Sequence, residues 1–256
     1  MGATVCAALL GADDLELVAA VDPAGSGRPL DQVAALNGSG LEVAATAEAL
    51  SDAGAEVMVD FSVAPAAREN LRWCADHGIH VVCGTTGFVE ADIEAMRGWF
   101  SGKAHGIVAA NFSIGAALMM RCAELCAPFV GGVEVIELHH DRKRDAPSGT
   151  SLETVRRMQA ARDAAGSGDW AADPTEHELV AGARGGRAEG GVHVHSVRLP
   201  GFVAHQEVIF GLQAETLSIR HDSLDRVSFM PGVLLAVRRV GGLEGLTLGL
   251  GDLLGF

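Results

Sequence analysis

The sequence predicts an α/β protein: a doubly wound parallel sheet joined to a second, α+β domain on a four-stranded mixed sheet. Three observations carry this. Short apolar, β-branched runs alternate with helical patterns through the first 110 residues, the signature of parallel strands with crossover helices. From residue 133 onward strands follow one another with a single long helix among them. Finally, 256 residues with 48% hydrophobic and 20% charged side chains are enough to bury two modest cores.

In chain order, Met1–Leu10 reads as the first turns of a helix, and Leu15–Val21 as a strand ending at Asp22-Pro23. Residues 23–55 are rich in Gly, Ala and Ser, with weak helix signals near Leu30–Leu36 and Ala45–Leu50. Strand Glu56–Phe61, helix Pro65–His77, strand Ile79–Cys83, helix Glu90–Phe100 and strand Gly106–Ala110 complete the alternation. A helix from Ile114 to about Val130 carries Leu118, Met119, Cys122 and Leu125 on one side.

The second domain opens on strand Val133–Leu138 and continues through a helix running to Ala165, whose apolar positions are Leu152, Val155 and Met158. Gly166–Gly191 is polar and glycine-rich, hence a loop. Strands recur at Val192–Leu199, His205–Phe210 and Glu215–Arg220, and Pro231–Val240 is an amphipathic helix returning to the first domain. The domains predicted are residues 1–111 and 112–220, with 221–256 as the returning segment.

A net charge of −14 argues against a nucleic-acid or anionic-membrane surface but leaves room for a local cationic pocket. Five cysteines, an odd number without a C-x-x-C pair, fit reduced thiols in a cytoplasmic protein. No apolar run is long enough for a membrane span. His193 and His195 have a spacing that could serve a metal, but no carboxylate or Cys accompanies them nearby, so no metal is expected.

The chemistry gathers at 133–150, V-E-V-I-E-L-H-H-D-R-K-R-D-A-P-S-G-T. His139 and His140 end a strand and point to opposite sides, so they cannot share one job unless the strand bends. Lys143 follows in the loop, free to act as proton donor or counter-ion. Ser148 is a good N-cap, and the first amides of its helix, at Gly149 and Thr150, can receive a carboxylate or phosphate. Singly, each of these is an ordinary polar residue; together they make an anion site beside titratable groups. Arg184, Arg198, Arg220 and His221 are further candidate charges around a dicarboxylate.

The run E-L-H-H-x-x-K-x-D-A-P-S-G-T resembles the signature of the dihydrodipicolinate reductase family of the diaminopimelate and lysine pathway. G-T-T-G-F at Gly84–Phe88, A-A-N-F-S at Ala109–Ser113, the stretch His195–Gly211 and the stretch Glu215–Val233 resemble it too, so the likeness spans nearly the whole chain. It implies a Rossmann-like nucleotide-binding domain, NADH or NADPH as cofactor, a cyclic dicarboxylate imine as substrate, and a homotetramer built through the second sheet. It implies that His139 and Lys143 are catalytic, and that His140, Ser148, Gly149 and Thr150 hold the substrate. Phe61, Gly84, Thr85, Thr86, Ala109, Ala110, Asn111 and Phe112, at strand ends on the carboxyl edge, would line the cofactor site.

Asp22, twenty residues after Gly2, has the spacing of a ribose-binding acid, and its charge disfavours a 2′-phosphate, so NADH should serve at least as well as NADPH. The chain opens on the helix itself, with Met1-Gly2 where the last loop glycine belongs. We therefore expect the first strand and most of the glycine loop to lie upstream, which extension of the reading frame would test. Two alternatives stand: another two-domain dehydrogenase with a catalytic His, or a truncated relative that binds acidic metabolites without turnover.

Overall fold

The computed structural model describes residues 1–256, which divide into two compact units: Met1–Ile114 with Phe229–Phe256, and Gly115–Ser228. The break lies three residues after Asn111. The second unit runs past Arg220 because its last strand continues to Ser223.

In the first unit the elements are α1 (Gly2–Leu10), β1 (Ala20–Val21), α2 (Leu30–Val33), β2 (Val43–Ala44), α3 (Glu48–Asp52), β3 (Val57–Asp60), α4 (Ala64–His77), β4 (His80–Cys83), α5 (Glu90–Trp99) and β5 (Gly106–Val108). The parallel strands form two sheets rather than one: β1 with β2, and a four-stranded sheet. The expected strand Leu15–Val21 shrinks to two residues, because Leu15–Ala19 finds no neighbour to complete a ladder.

The apolar strands are buried on both faces: Val81, Val82, Cys83 and Ile107 are fully buried. Leu71 and Cys74 of α4 and Met96 of α5 pack with Val81, Cys83 and Phe100 in one core. α4 stops at Gly78 in the left-handed conformation, φ 73°, which a glycine adopts without strain.

The second unit holds α6 (Ile114–Cys126, its first residue in the first unit), β6 (Gly132–His139), α7 (Gly149–Ala165), β7 (Gly186–Arg187), β8 (His193–Arg198), β9 (Ala204–Leu212) and β10 (Glu215–Ser223). Its sheet runs β10-β9-β6-β8-β7, with β6 and β8 parallel and the other pairs antiparallel. The four expected strands are there; the fifth is a two-residue edge drawn from the glycine-rich excursion. Val135, Val194, Val208 and Phe210 pack with Val155 and Met158 of α7.

The buried face of α7 differs from the apolar pattern. Leu152 is 46% exposed, while Ser151, Thr154 and Arg162 are buried. The hydroxyls are paid for by Gln206 of β9: Ser151 Oγ donates to its Oε1 at 2.9 Å, and its Nε2 donates to Thr154 Oγ1 at 2.8 Å. Arg162 has no acid partner. Its guanidinium donates to the carbonyls of Ala127, Val130, Ser167, Gly168 and Asp169, and lies 4.0 Å from the Trp170 ring centroid.

The chain then re-enters the first unit with α8 (Met230–Arg239), β11 (Leu246–Leu248) and α9 (Gly251–Leu254). β11, absent from the sequence reading, pairs with β5 and completes the order β11-β5-β4-β3. A Cβ on Gly232 would sit 2.0 Å from the Phe112 carbonyl, so glycine lets α8 approach that backbone. Arg238 forms a two-bond ion pair with Asp14.

Candidate active site

In the first unit, the residues expected to meet a cofactor fall on the carboxyl edge of β3, β4 and β5. Phe61 and Phe112 pack with ring centroids 5.7 Å apart. Gly84 bonds back to Asp60 O through its amide at 2.8 Å and lies under the Phe61 ring. Thr86 and Ala110 are exposed, whereas Thr85, Ala109 and Phe112 are buried.

Thr85 is committed inward: its hydroxyl donates to Asp60 Oδ1 at 2.9 Å. Asp60 also accepts from Ser62 N–H and Oγ–H and from Asn70 Nδ2. Asp60 thereby ties the loops after β3 and β4 together, a role the sequence reading missed. Asn111 Oδ1 accepts from Ser113 N–H, fixing the loop after β5.

Asp22 follows β1 and is exposed; its Oδ1 accepts from Ala24 N–H at 2.9 Å, so it shapes its own turn. Gly2 is the first residue of α1, with nothing within 4 Å of a Cβ built there. A helix start free of side-chain bulk, an exposed carboxylate ending β1, and open Thr86 and Ala110 at the sheet edge fit a dinucleotide's phosphate, ribose and ring.

In the second unit the organising group is Glu137, whose side chain is 0% exposed. Strand alternation puts it on the α7 face with His139, two residues on. Glu137 Oε2 lies 2.5 Å from His139 Nδ1 and accepts from Arg198 Nη1 at 2.7 Å. Oε1 accepts from Arg198 Nη2 at 2.7 Å and from Ser148 N–H at 3.2 Å. Burial pushes this carboxyl up, but the hydrogen bonds from His139, Arg198 and Ser196 outweigh it and hold it at about 2.

Arg198 Nη2 also reaches Asp145 O, and Lys143 Nζ donates to Asp145 Oδ2 at 2.7 Å. One buried anion thus links the end of β6, the lysine loop and the start of α7. His140 lies just past the end of β6, and its Nδ1 is buried without a hydrogen-bond partner. Burial, together with the positive charges of Arg142, His139 and Lys143, lowers its pKa.

Ser148 is spent inside the protein. Because Ser151 Oγ–H goes to Gln206, Ser148 Oγ–H goes to Ser151 Oγ, 2.8 Å away, while Ser148 Oγ accepts from Ser151 N–H. With its own N–H on Glu137, Ser148 has no donor left to offer a ligand. It frames Gly149 and Thr150, which open α7.

The other charge candidates sit elsewhere. Arg184 pairs with Glu134 and Asp173, and Arg220 with Asp222 and Glu207. His221 is half-buried, its pKa lowered chiefly by that burial. His195 Nε2 meets Glu134, and His193 Nδ1 meets Arg184 O. No group of three or more His, Cys, Asp or Glu is arranged to hold a metal.

A nucleotide-binding α/β unit coupled to a sheet unit bearing His, Lys and a helix N-terminus defines a two-domain oxidoreductase. The chain belongs to the dihydrodipicolinate reductase family: residues 1–112 match the model of that family's N-terminus and residues 115–254 that of its C-terminus. It is 50% identical to the 4-hydroxy-tetrahydrodipicolinate reductase of Nocardia farcinica over 98% of this chain and 92% of that one. With the enzyme of the same name from Cutibacterium acnes it shares 48% identity over 100% and 94%. Dipicolinate-bound dihydrodipicolinate reductase from Paenisporosarcina superposes with TM-score 0.82 at 34% identity, covering 97% of this chain and 93% of that one. An amine dehydrogenase from Mycobacterium smegmatis, at 14% identity and TM-score 0.60, shares the fold.

Proposed function

We propose that the protein reduces 4-hydroxy-tetrahydrodipicolinate to tetrahydrodipicolinate in lysine and diaminopimelate biosynthesis, with NADH at least as good a donor as NADPH. The observation that carries this is the connection from His139 to Thr150, where an imidazole and a helix start are bound to one buried carboxylate and the lysine loop is tied to it through Arg198 and Asp145. The reaction takes up a hydride and a proton and releases water. The nicotinamide supplies the hydride.

The chain's own residues do the rest. Gly149 and Thr150 at the start of α7 receive a substrate carboxylate, where amides and the helix dipole favour an anion. His140, its Nδ1 unsatisfied, hydrogen-bonds the substrate. Lys143 leaves Asp145 and delivers a proton to the ring, while His139, through Nε2, stabilises or protonates the charge that develops. Gly2, Asp22, Phe61, Gly84, Thr86, Ala110 and Asn111 hold the cofactor, with Thr85, Ala109 and Phe112 supporting that edge from beneath.

The protein works in the cytoplasm as a homotetramer. All five cysteines are unpaired, and no helix is long and apolar enough to cross a membrane. Ile136, Leu138, Val197 and Ile209, on the sheet face opposite α7, are only half-buried, which suits a face shared between subunits. Substrate-dependent oxidation of NADH by the purified protein tests the assignment.

A further inference from the structure

We infer that Glu137 is a positioning residue for the reaction: it fixes the tautomer and orientation of His139 and holds that ring in register with the anion-binding start of α7. The inference rests on the catalytic reading of His139.

The geometry permits one hydrogen arrangement. Glu137 Oε2 is an ionised acceptor already taking a hydrogen bond from Arg198, and it lies 2.5 Å from His139 Nδ1. A carboxylate accepts and cannot donate, so Nδ1 must carry the hydrogen. The neutral ring therefore leaves Nε2 with its lone pair, and the protonated ring presents Nε2–H. Either way the ring nitrogen that exchanges a proton with the site is Nε2. With Nδ1 tethered, the ring cannot flip without leaving an anion buried and under-bonded.

The same carboxylate sets distance as well as tautomer. Oε1 accepts from Ser148 N–H, the residue that caps α7, so the imidazole and the helix start are both measured from one side chain. Arg198 clamps the carboxylate with two parallel bonds from β8, in the fork geometry that fixes direction as well as distance. Through Asp145 O, Arg198 also limits the loop carrying Lys143. A merely structural ion pair would need Arg198 and Glu137 alone. Spending both oxygens on His139 and Ser148 as well is what a shared reference point requires.

An apolar residue at 137 would pack in the strand equally well, but it would leave His139 Nδ1 and Ser148 N–H without an acceptor and Arg198 with backbone carbonyls alone. Glu137→Gln keeps the shape and removes the charge. Its amide offers one acceptor to three donors, and its NH2 group invites the ring to turn to the Nε2–H tautomer, the wrong one for a site facing Nε2.

The test combines kinetics and nitrogen NMR. In the wild-type protein, at a pH high enough to neutralise the ring, the imidazole 15N shifts of His139, assigned by loss of its signal in His139→Gln, should show the hydrogen on Nδ1; a neutral Nε2–H ring overturns the proposal without any Glu137 variant having to fold. Glu137→Gln should lower kcat on the order of 100-fold with KM for the dicarboxylate changed less than about threefold. In a His139→Gln background the same change should cost little more. Equal losses in both backgrounds, or a rise in KM alone, would make Glu137 a structural or binding group instead. Full turnover by His139→Gln would overturn the catalytic reading of His139 itself, and the tautomer result would then still say whether Glu137 tethers the ring.

Discussion

The ring of Phe61 occupies the space beside Gly84 that a β-carbon would need: a Cβ built on Gly84 falls 2.1 Å from Phe61 Cε1. The ring is rigid and packs on Phe112, so it cannot yield cheaply. Gly84→Ala is expected to cost about 1–3 kcal/mol by overpacking and to weaken NADH binding about tenfold by displacing the cofactor edge. Adding Phe61→Ala should return most of the stability but not the affinity. Denaturant titration and NADH binding read the two effects separately.

Arg162 tests packing apart from chemistry. It holds five carbonyl oxygens at the C-terminal end of α7, at the opposite end of that helix from Ser148. Arg162→Met should destabilise the protein by roughly 3–5 kcal/mol, as expected when buried acceptors lose their donor. Below its melting temperature the variant should keep the wild-type kcat. A stable variant with lost turnover would contradict this.

The acid limb of stability should report Glu137. Its folded pKa of about 2 is below the ordinary glutamate value, so ionised Glu137 favours the folded state at neutral pH, by about 3 kcal/mol. That contribution is complete above about pH 5 and is lost as pH falls through the window from about 4.5 down to 2. Glu134, Asp145 and Asp222 are lowered too and act in the same direction. Unfolding free energy measured from pH 6 to 3 should fall, and fall less steeply in Glu137→Gln.

Asp22 should set nucleotide preference. Its exposed carboxylate would repel a 2′-phosphate, so Asp22→Asn is expected to raise NADPH affinity relative to NADH by on the order of tenfold. Competitive binding of the two nucleotides to wild type and variant reads this ratio directly.

Long apolar strands and the helices between them were legible because their side chains repeat with period two or 3.6. The two- and three-residue strands β2, β7 and β11 were not, since a strand that short has no period and exists only through its partner. Nothing in the sequence marked Ser151 and Thr154 as buried, because Gln206, which satisfies them, is more than fifty residues away. His139, His140 and Lys143 stood out in the sequence by type and clustering. Glu137 passed as one polar residue in a strand, although its i, i+2 spacing to His139 was a readable sign that both share a face.

Steady-state turnover of 4-hydroxy-tetrahydrodipicolinate by wild type and Lys143→Ala tests the central claim most directly. NADH oxidation should depend on the dicarboxylate, and kcat should be lowered at least 100-fold in the variant with KM nearly unchanged. Wild-type kcat in Lys143→Ala, or NADH oxidation indifferent to the dicarboxylate, would contradict it.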